Sequence, residues 1–132
     1  MKKKEIRNEN LLYPELSYKI VGSAFDVCNE LGSGHPEKYY QKALSESFLR
    51  KDIKFEEQVF CPVSFCGKSI GKRFLDFLVE EKIIVEIKKG SRFSKANIDQ
   101  VLDYLKINKV KLAILINFGN EGVSFKRIVN FS

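Results

Sequence analysis

Histidine is nearly missing from this sequence, since His35 is the only one among 132 residues. A site built on paired histidines, or a Ser/His/Asp triad, is therefore nearly excluded. Carboxylates and amines are well supplied, with 23 Lys and Arg against 17 Asp and Glu. Any chemistry must rest on carboxylates and lysines.

Cysteine is also scarce. Cys28, Cys61 and Cys66 are an odd number, and their spacing matches no familiar zinc-binding motif. Each falls in an apolar periodic segment, where a thiol behaves as a small hydrophobic group. We expect all three to be buried core residues and not metal ligands.

Long apolar runs are absent as well. No stretch approaches the roughly 18 uninterrupted apolar residues that a membrane span needs. The first residues are charged and run into polar sequence, not into the apolar core of a signal peptide. We expect a cytoplasmic protein without membrane contact.

The length of 132 residues allows one domain with a real core and is too short for two. Residues 1–14 are charged, aperiodic and closed by Pro14, which indicates a flexible N-terminal arm ahead of a single domain at 15–132. The net charge of +6 favours a polyanionic partner. Part of that charge lies in the solvated tail at residues 2–4.

The apolar spacing predicts eight elements in the order helix, helix, three strands, helix, strand, strand. Ser17 can cap the first helix, and Gly32 can end it. Alternation from Ile53 onward places apolar residues on one side of a long strand, and the next two strands complete an antiparallel meander. The predicted segments are 17–32, 36–51, 53–65, 70–79, 83–88, a helix from Ser94, 110–116 and 123–129.

Two acids interrupt the apolar strands. Asp76 lies between Leu75 and Phe77, and Glu86 lies between Val85 and Ile87. A three-residue turn at 80–82 makes Asp76 and Glu86 direct cross-strand partners, with Cβ atoms about 5 Å apart.

Facing carboxylates repel unless one is protonated or a cation lies between them. Mg²⁺ suits such oxygen ligands and activates water, with Mn²⁺ as the alternative ion. Lys88 shares a strand face with Glu86 and can stabilise phosphoryl charge.

These residues also form known motifs. Asp76, nine further residues and then Glu86-Ile87-Lys88 are similar to the D…(D/E)-x-K signature of PD-(D/E)XK nucleases. The segment Gly34-His35-Pro36-Glu37-Lys38-Tyr39-Tyr40 contains the Gly, Glu and Tyr of a GxxExxY pattern. Over residues 17–130 the chain resembles the GxxExxY branch of this superfamily. Further similarity lies in Gln100 and Tyr104 and in residues 115–119.

The resemblance implies an α/β (α+β) fold with a restriction-endonuclease-like core, in which helices flank a mixed β-sheet. It implies that Asp76 and Glu86 bind metal, that Glu37 reaches the metal from the preceding helix, and that Lys88 assists catalysis. Gln100 would help to complete the site. The implied function is metal-dependent hydrolysis of phosphodiester bonds in nucleic acid, with DNA favoured over RNA.

Basic residues surround the proposed site and could bind phosphates on either side of the bond to be cut. No aromatic-rich platform for single strands is evident from the sequence. Two other functions stay open: a catalytically silent nucleic-acid-binding module, and an interaction subunit of a defence or repair assembly. A homodimer also stays open. The candidate phosphate-binding residues are Lys72, Arg73, Lys89, Arg92 and Lys95.

Overall fold

The structure is a computed structural model that describes residues 12–90 and 93–130. The helices and strands in these ranges follow the predicted order. None of the three described helices is both long enough and apolar enough to cross a membrane. The elements are α1 (Pro14–Leu31), α2 (Glu37–Arg50), β1 (Phe55–Phe65), β2 (Lys68–Val79), β3 (Ile83–Lys89), α3 (Lys95–Asn108), β4 (Leu112–Gly119) and β5 (Gly122–Val129).

The five strands form one mixed sheet in the order β1-β2-β3-β4-β5. Strands β1, β2 and β3 make the predicted antiparallel meander. Strand β4 runs parallel to β3, and the chain reaches it through α3, as a parallel pair requires. Strand β5 is antiparallel to β4. The predicted α+β class with a mixed sheet is confirmed.

Helices cover both faces of the sheet, so the central strands are buried on both sides. Ile83, Val85 and Ile87 of β3 belong to the apolar cluster that contains α1 and α2 residues. Ile84 belongs to the cluster that contains α3 residues. Glu86 follows Ile84 by two residues and therefore lies on the α3 side of a strand that is otherwise apolar.

Strands β1 and β2 change sides partway along their length. Phe55 and Phe77 pack with the α1 and α2 residues, whereas Cys61 and Leu75 pack with α3. The prediction that Phe55 and Cys61 share one side is therefore wrong. The alternation is broken at Gln58, whose φ of 50° lies in the left-handed region.

Other details of the prediction also need correction. Cys61 is buried as expected, but Cys28 is only half-buried and Cys66 is exposed. Cys66 has a φ of 50° and lies in the turn between β1 and β2, so it cannot pack in a core. Pro14 belongs to the first turn of α1 and not to an arm, because its fixed φ suits that position. Residues 1–11 of the predicted arm lie outside the described residues.

Candidate active site

Strands β2 and β3 separate at Asp76 and Glu86. Their backbone pairing runs from Val79 with Ile83 to Phe77 with Val85, which is the register that the sequence predicts. At the next position, carboxylate oxygens accept hydrogen bonds from backbone N–H groups in place of the backbone-to-backbone ladder. Glu86 Oε1 accepts a hydrogen bond from the Asp76 N–H at 2.9 Å, and Asp76 Oδ2 accepts one from the Ile87 N–H at 2.8 Å. Each carboxylate is thus anchored to the other strand.

Burial makes the charged form of this carboxylate pair costly. The Glu86 side chain is buried, with 5% of the residue exposed. Desolvation, followed by the Asp76 charge, raises the pKa of Glu86 to about 8. Desolvation also raises the pKa of Asp76, although the Ile87 N–H and the Lys88 charge oppose it. Near neutral pH the pair therefore favours a shared proton or a bound cation.

Lys88 and Glu37 complete the charged surroundings of the pair. Lys88 is half-buried. Desolvation raises the pKa of Asp76, Glu86 and Glu37, and the Lys88 charge opposes this rise in all three. Glu37 is the first residue of α2. Desolvation and then the Asp76 charge raise the pKa of Glu37, so the start of α2 lies within electrostatic range of the pair. The structure therefore brings the predicted residues Glu37, Asp76, Glu86 and Lys88 within electrostatic range of one another.

The donor set suits a hard divalent cation. Two buried carboxylates offer oxygen ligands only, and Mg²⁺ is usually held by one or two carboxylates together with waters. Within residues 12–90 and 93–130, no group of three or more His, Cys, Asp and Glu side chains is placed to hold a metal ion. The candidate metal site therefore consists of Asp76 and Glu86, and the predicted third ligand, Glu37, is not placed with them to hold a metal ion.

Helix α3 packs on the face of the sheet where Glu86 lies. Tyr104 is buried, and burial followed by the Glu86 charge raises the pKa of this phenol to about 12. Gln100 is half-buried and lies one turn earlier, at the i, i+4 spacing that shares a helical face. The sequence prediction that Gln100 and Tyr104 share a face agrees with this arrangement.

Gln58 and Gln41 contact Asp76, and sequence reasoning missed both residues. Gln41 of α2 donates from Nε2 to the Asp76 carbonyl oxygen at 3.2 Å. Gln58 lies on β1 between the partners of Phe77 and Leu75. Desolvation raises the pKa of Asp76, and the nearby Gln58 amide is one of the groups that oppose this rise. Neither neighbour follows from periodicity, and Gln58 has a left-handed backbone that no strand pattern encodes.

Asn117 is a second polar residue on a buried strand. It is the cross-strand partner of Lys88 in the parallel β3–β4 pair, and only 3% of the residue is exposed. Its Oδ1 atom has no hydrogen-bond partner among the described residues. Asn117 lies in a segment that carried the sequence resemblance, but the sequence suggested no role for it.

The basic residues that were predicted to bind phosphate differ in their environments. Arg73 pairs with Asp103 at 2.8 Å and lies over the Tyr104 ring at 4.8 Å from its centroid, so its guanidinium is held against α3. Lys95 pairs with Asp99 one helical turn away at 3.4 Å. Lys72 and Lys89 are exposed. Arg92 lies outside the described residues.

Comparisons with known proteins agree with the geometry. A family model described as PD-(D/E)XK nuclease superfamily matches residues 14–128. The fold is similar to the crystal structure of SSO0001, with a TM-score of 0.54 and 19% identity over 70% of this chain and 49% of that one. It is also similar to the alkaline exonuclease LHK-Exo from Laribacter hongkongensis, with a TM-score of 0.52 and 13% identity over 82% and 67% of the two chains.

The chain thus spans about half the length of SSO0001. At these identities the structural likeness shows a shared fold only. A search of curated protein sequences found no significant match.

Proposed function

Because the chain belongs to the PD-(D/E)XK nuclease superfamily, we propose that it is a Mg²⁺-dependent nuclease of the GxxExxY branch. The observation that carries the proposal is the buried Asp76–Glu86 pair, whose carboxylates are fixed by reciprocal hydrogen bonds to backbone N–H groups. A purely structural role would not require two acids that repel each other inside an apolar sheet.

The two carboxylates would hold the metal ion, with Mn²⁺ as the alternative to Mg²⁺. A metal ion in such a site supplies Lewis acidity at the phosphoryl oxygen and lowers the pKa of a bound water. Gln41 of α2 would help to keep Asp76 in place through its hydrogen bond to the Asp76 carbonyl oxygen. Glu37, at the start of α2, would hold a water on the open side of the pair.

Lys88 would act on the substrate directly. Its ammonium lies close enough to oppose the rise in the pKa of Asp76, Glu86 and Glu37, and Lys88 is only half-buried. A cation at this point stabilises the negative charge that develops on the phosphoryl group. Gln100 would complete the site from α3, and Lys72, Lys89, Arg92 and Lys95 would attract the phosphate backbone. Arg73, which was also predicted for this role, is instead paired with Asp103.

DNA is the favoured polymer, and RNA is the alternative. The net charge of +6 supports a polyanionic substrate without distinguishing the two. A homodimer, which would let two sites address two strands, remains an open proposal for the assembly.

The test is cleavage of end-labelled single- and double-stranded DNA and RNA in Mg²⁺, in Mn²⁺ and in EDTA. We expect metal-dependent cleavage that is abolished by Glu86→Gln and retained by Glu56→Gln, a control at an exposed acid on β1. Binding without cleavage of any substrate would contradict the enzyme proposal and favour a silent binding module. Cleavage only in the presence of a partner protein would favour an interaction subunit.

A further inference from the structure

The hairpin of β1 and β2 reaches beyond the rest of the sheet. Only residues 77–79 of β2 pair with β3, whereas β2 pairs with β1 from Lys68 to Val79. The segment from Val59 to Leu75 therefore forms a two-stranded arm that starts beside the acid pair. We call this segment the hairpin arm.

Two phenylalanine rings lie side by side on the outer face of the hairpin arm. Phe60 and Phe74 are direct cross-strand partners, and their ring centroids are 5.9 Å apart in an edge-to-face arrangement. Their neighbours Cys61 and Leu75 point the other way, into the cluster under α3. As a result Phe60 is 53% exposed and Phe74 is 46% exposed. Adjacent exposed rings usually mark a binding surface.

The charge of the hairpin arm identifies the kind of partner that fits. The arm contains no Asp or Glu, and it carries the exposed residues Lys68 and Lys72. Its third cation, Arg73, is paired with Asp103 on α3. Lys72 precedes Phe74 by two residues on β2, so the ammonium and the ring project from the same face. Exposed aromatic rings next to cations form the surface that binds single-stranded nucleic acid, because bases stack on the rings and phosphates meet the cations.

The position of the hairpin arm relative to the acids supports the same partner. Phe74 precedes Asp76 by two residues on β2, which is about 7 Å along an extended strand. The rings face away from α3, whereas Glu86 lies on the α3 side. A nucleic acid strand with its phosphodiester at Asp76 and Glu86 would therefore reach the rings by passing the point where β2 and β3 separate. A second copy of the chain fits less well, because symmetric contact would bring the cations of two acid-free arms together.

We propose that Phe60 and Phe74 form a stacking platform for the unpaired bases of a single-stranded substrate, with Lys72 contacting its phosphates. The inference rests on the proposed nuclease function and adds the substrate class. A duplex keeps its base faces stacked inside the helix, so the platform favours single strands or frayed ends over intact duplex.

The test is binding of fluorescein-labelled oligothymidylate, measured by anisotropy in EDTA so that the strand stays intact. Phe60→Leu and Phe74→Leu keep the apolar surface but remove the rings. Each should weaken binding by about fivefold or more, and Phe74→Trp should retain it. Phe125→Leu is the matched control, because Phe125 is 43% exposed on β5 and should leave affinity unchanged.

An abasic oligomer of the same length separates stacking from charge. Wild-type protein should bind it more weakly than oligothymidylate, and the leucine variants should bind it as wild type does. Equal losses on both oligomers, or no loss on either, would overturn the platform.

Cleavage and mass measurements separate this proposal from its rivals. Normal cleavage by wild type together with unchanged binding in the leucine variants would reject the platform and leave the nuclease standing. Ring-dependent binding without cleavage by wild type would support the platform and reject the nuclease proposal. Sedimentation that shows a dimer lost in Phe60→Ala and Phe74→Ala, with oligothymidylate binding unchanged, would assign the face to self-association and overturn the proposal.

Discussion

Burial of Glu86 should make the metal-free protein less stable as the pH rises. The folded protein holds this proton with a pKa of about 8, whereas the ordinary value is 4.5. Between these values the folded state binds more protons than the unfolded state, so the free energy of unfolding falls with increasing pH. Each pKa unit corresponds to about 1.4 kcal/mol. The loss is roughly 3 kcal/mol by pH 7 and roughly 4 to 5 kcal/mol above the folded pKa.

Glu86→Gln removes this charge and keeps the geometry. The amide oxygen can still accept from the Asp76 N–H, and the amide nitrogen can donate to the Asp76 carboxylate as a protonated Glu86 would. In EDTA at pH 7 to 8 we expect the variant to melt about 10 to 15 °C above wild type. The difference should vanish near the ordinary pKa of 4.5. Mg²⁺ should raise the melting temperature of wild type and not of Glu86→Gln.

Calorimetry across this pH range, with EDTA or with Mg²⁺, measures both effects, and Glu56→Gln controls for loss of an exposed acid on β1. Two results would refute the reasoning. A wild-type melting temperature that does not fall with pH would show that burial of Glu86 costs nothing. Equal stabilisation of wild type and Glu86→Gln by Mg²⁺ would place the ion away from the pair.

Three further predictions concern the same site. Asp76→Ala or Glu86→Ala should strongly weaken Mg²⁺ and Mn²⁺ binding in titration calorimetry, and unchanged affinity in both variants would remove the proposed metal site. Lys88→Ala should lower kcat by about two or more orders of magnitude with metal binding intact, and Lys88→Arg should not restore it fully. A near-normal saturated rate in Lys88→Ala would show that Lys88 only contacts the phosphates of the substrate and does not act in catalysis. Nucleic-acid affinity should fall with added salt on a shallow slope, whereas flat affinity would indicate another kind of ligand.

Local patterns were enough to predict the acid pair. The three-residue turn fixes the register of β2 and β3, and the observed partners Phe77 and Val85 lie next to Asp76 and Glu86. The register could not show that the ladder ends there, because side chains and not the backbone make the last hydrogen bonds.

Tertiary contacts explain what the sequence could not supply. Arg73 was expected on a phosphate-binding surface, but Asp103 on α3 is 30 residues away in sequence and holds its guanidinium. Simple alternation places Phe60 opposite Cys61, but it could not show that the face of Phe60 and Phe74 is left exposed. The left-handed residue Gln58 changes which helices the buried side of the hairpin packs against.

The end of the β2–β3 pairing at Phe77 lets the hairpin arm vary independently of the chemistry. Insertion or deletion of two residues in each strand, near the turn of the arm, would change its reach while keeping Cys61 and Leu75 on their buried face and keeping the register that joins Asp76 to Glu86. The outer part of the arm is therefore a segment that evolution or a protein engineer can lengthen, shorten or replace without disturbing the acid pair.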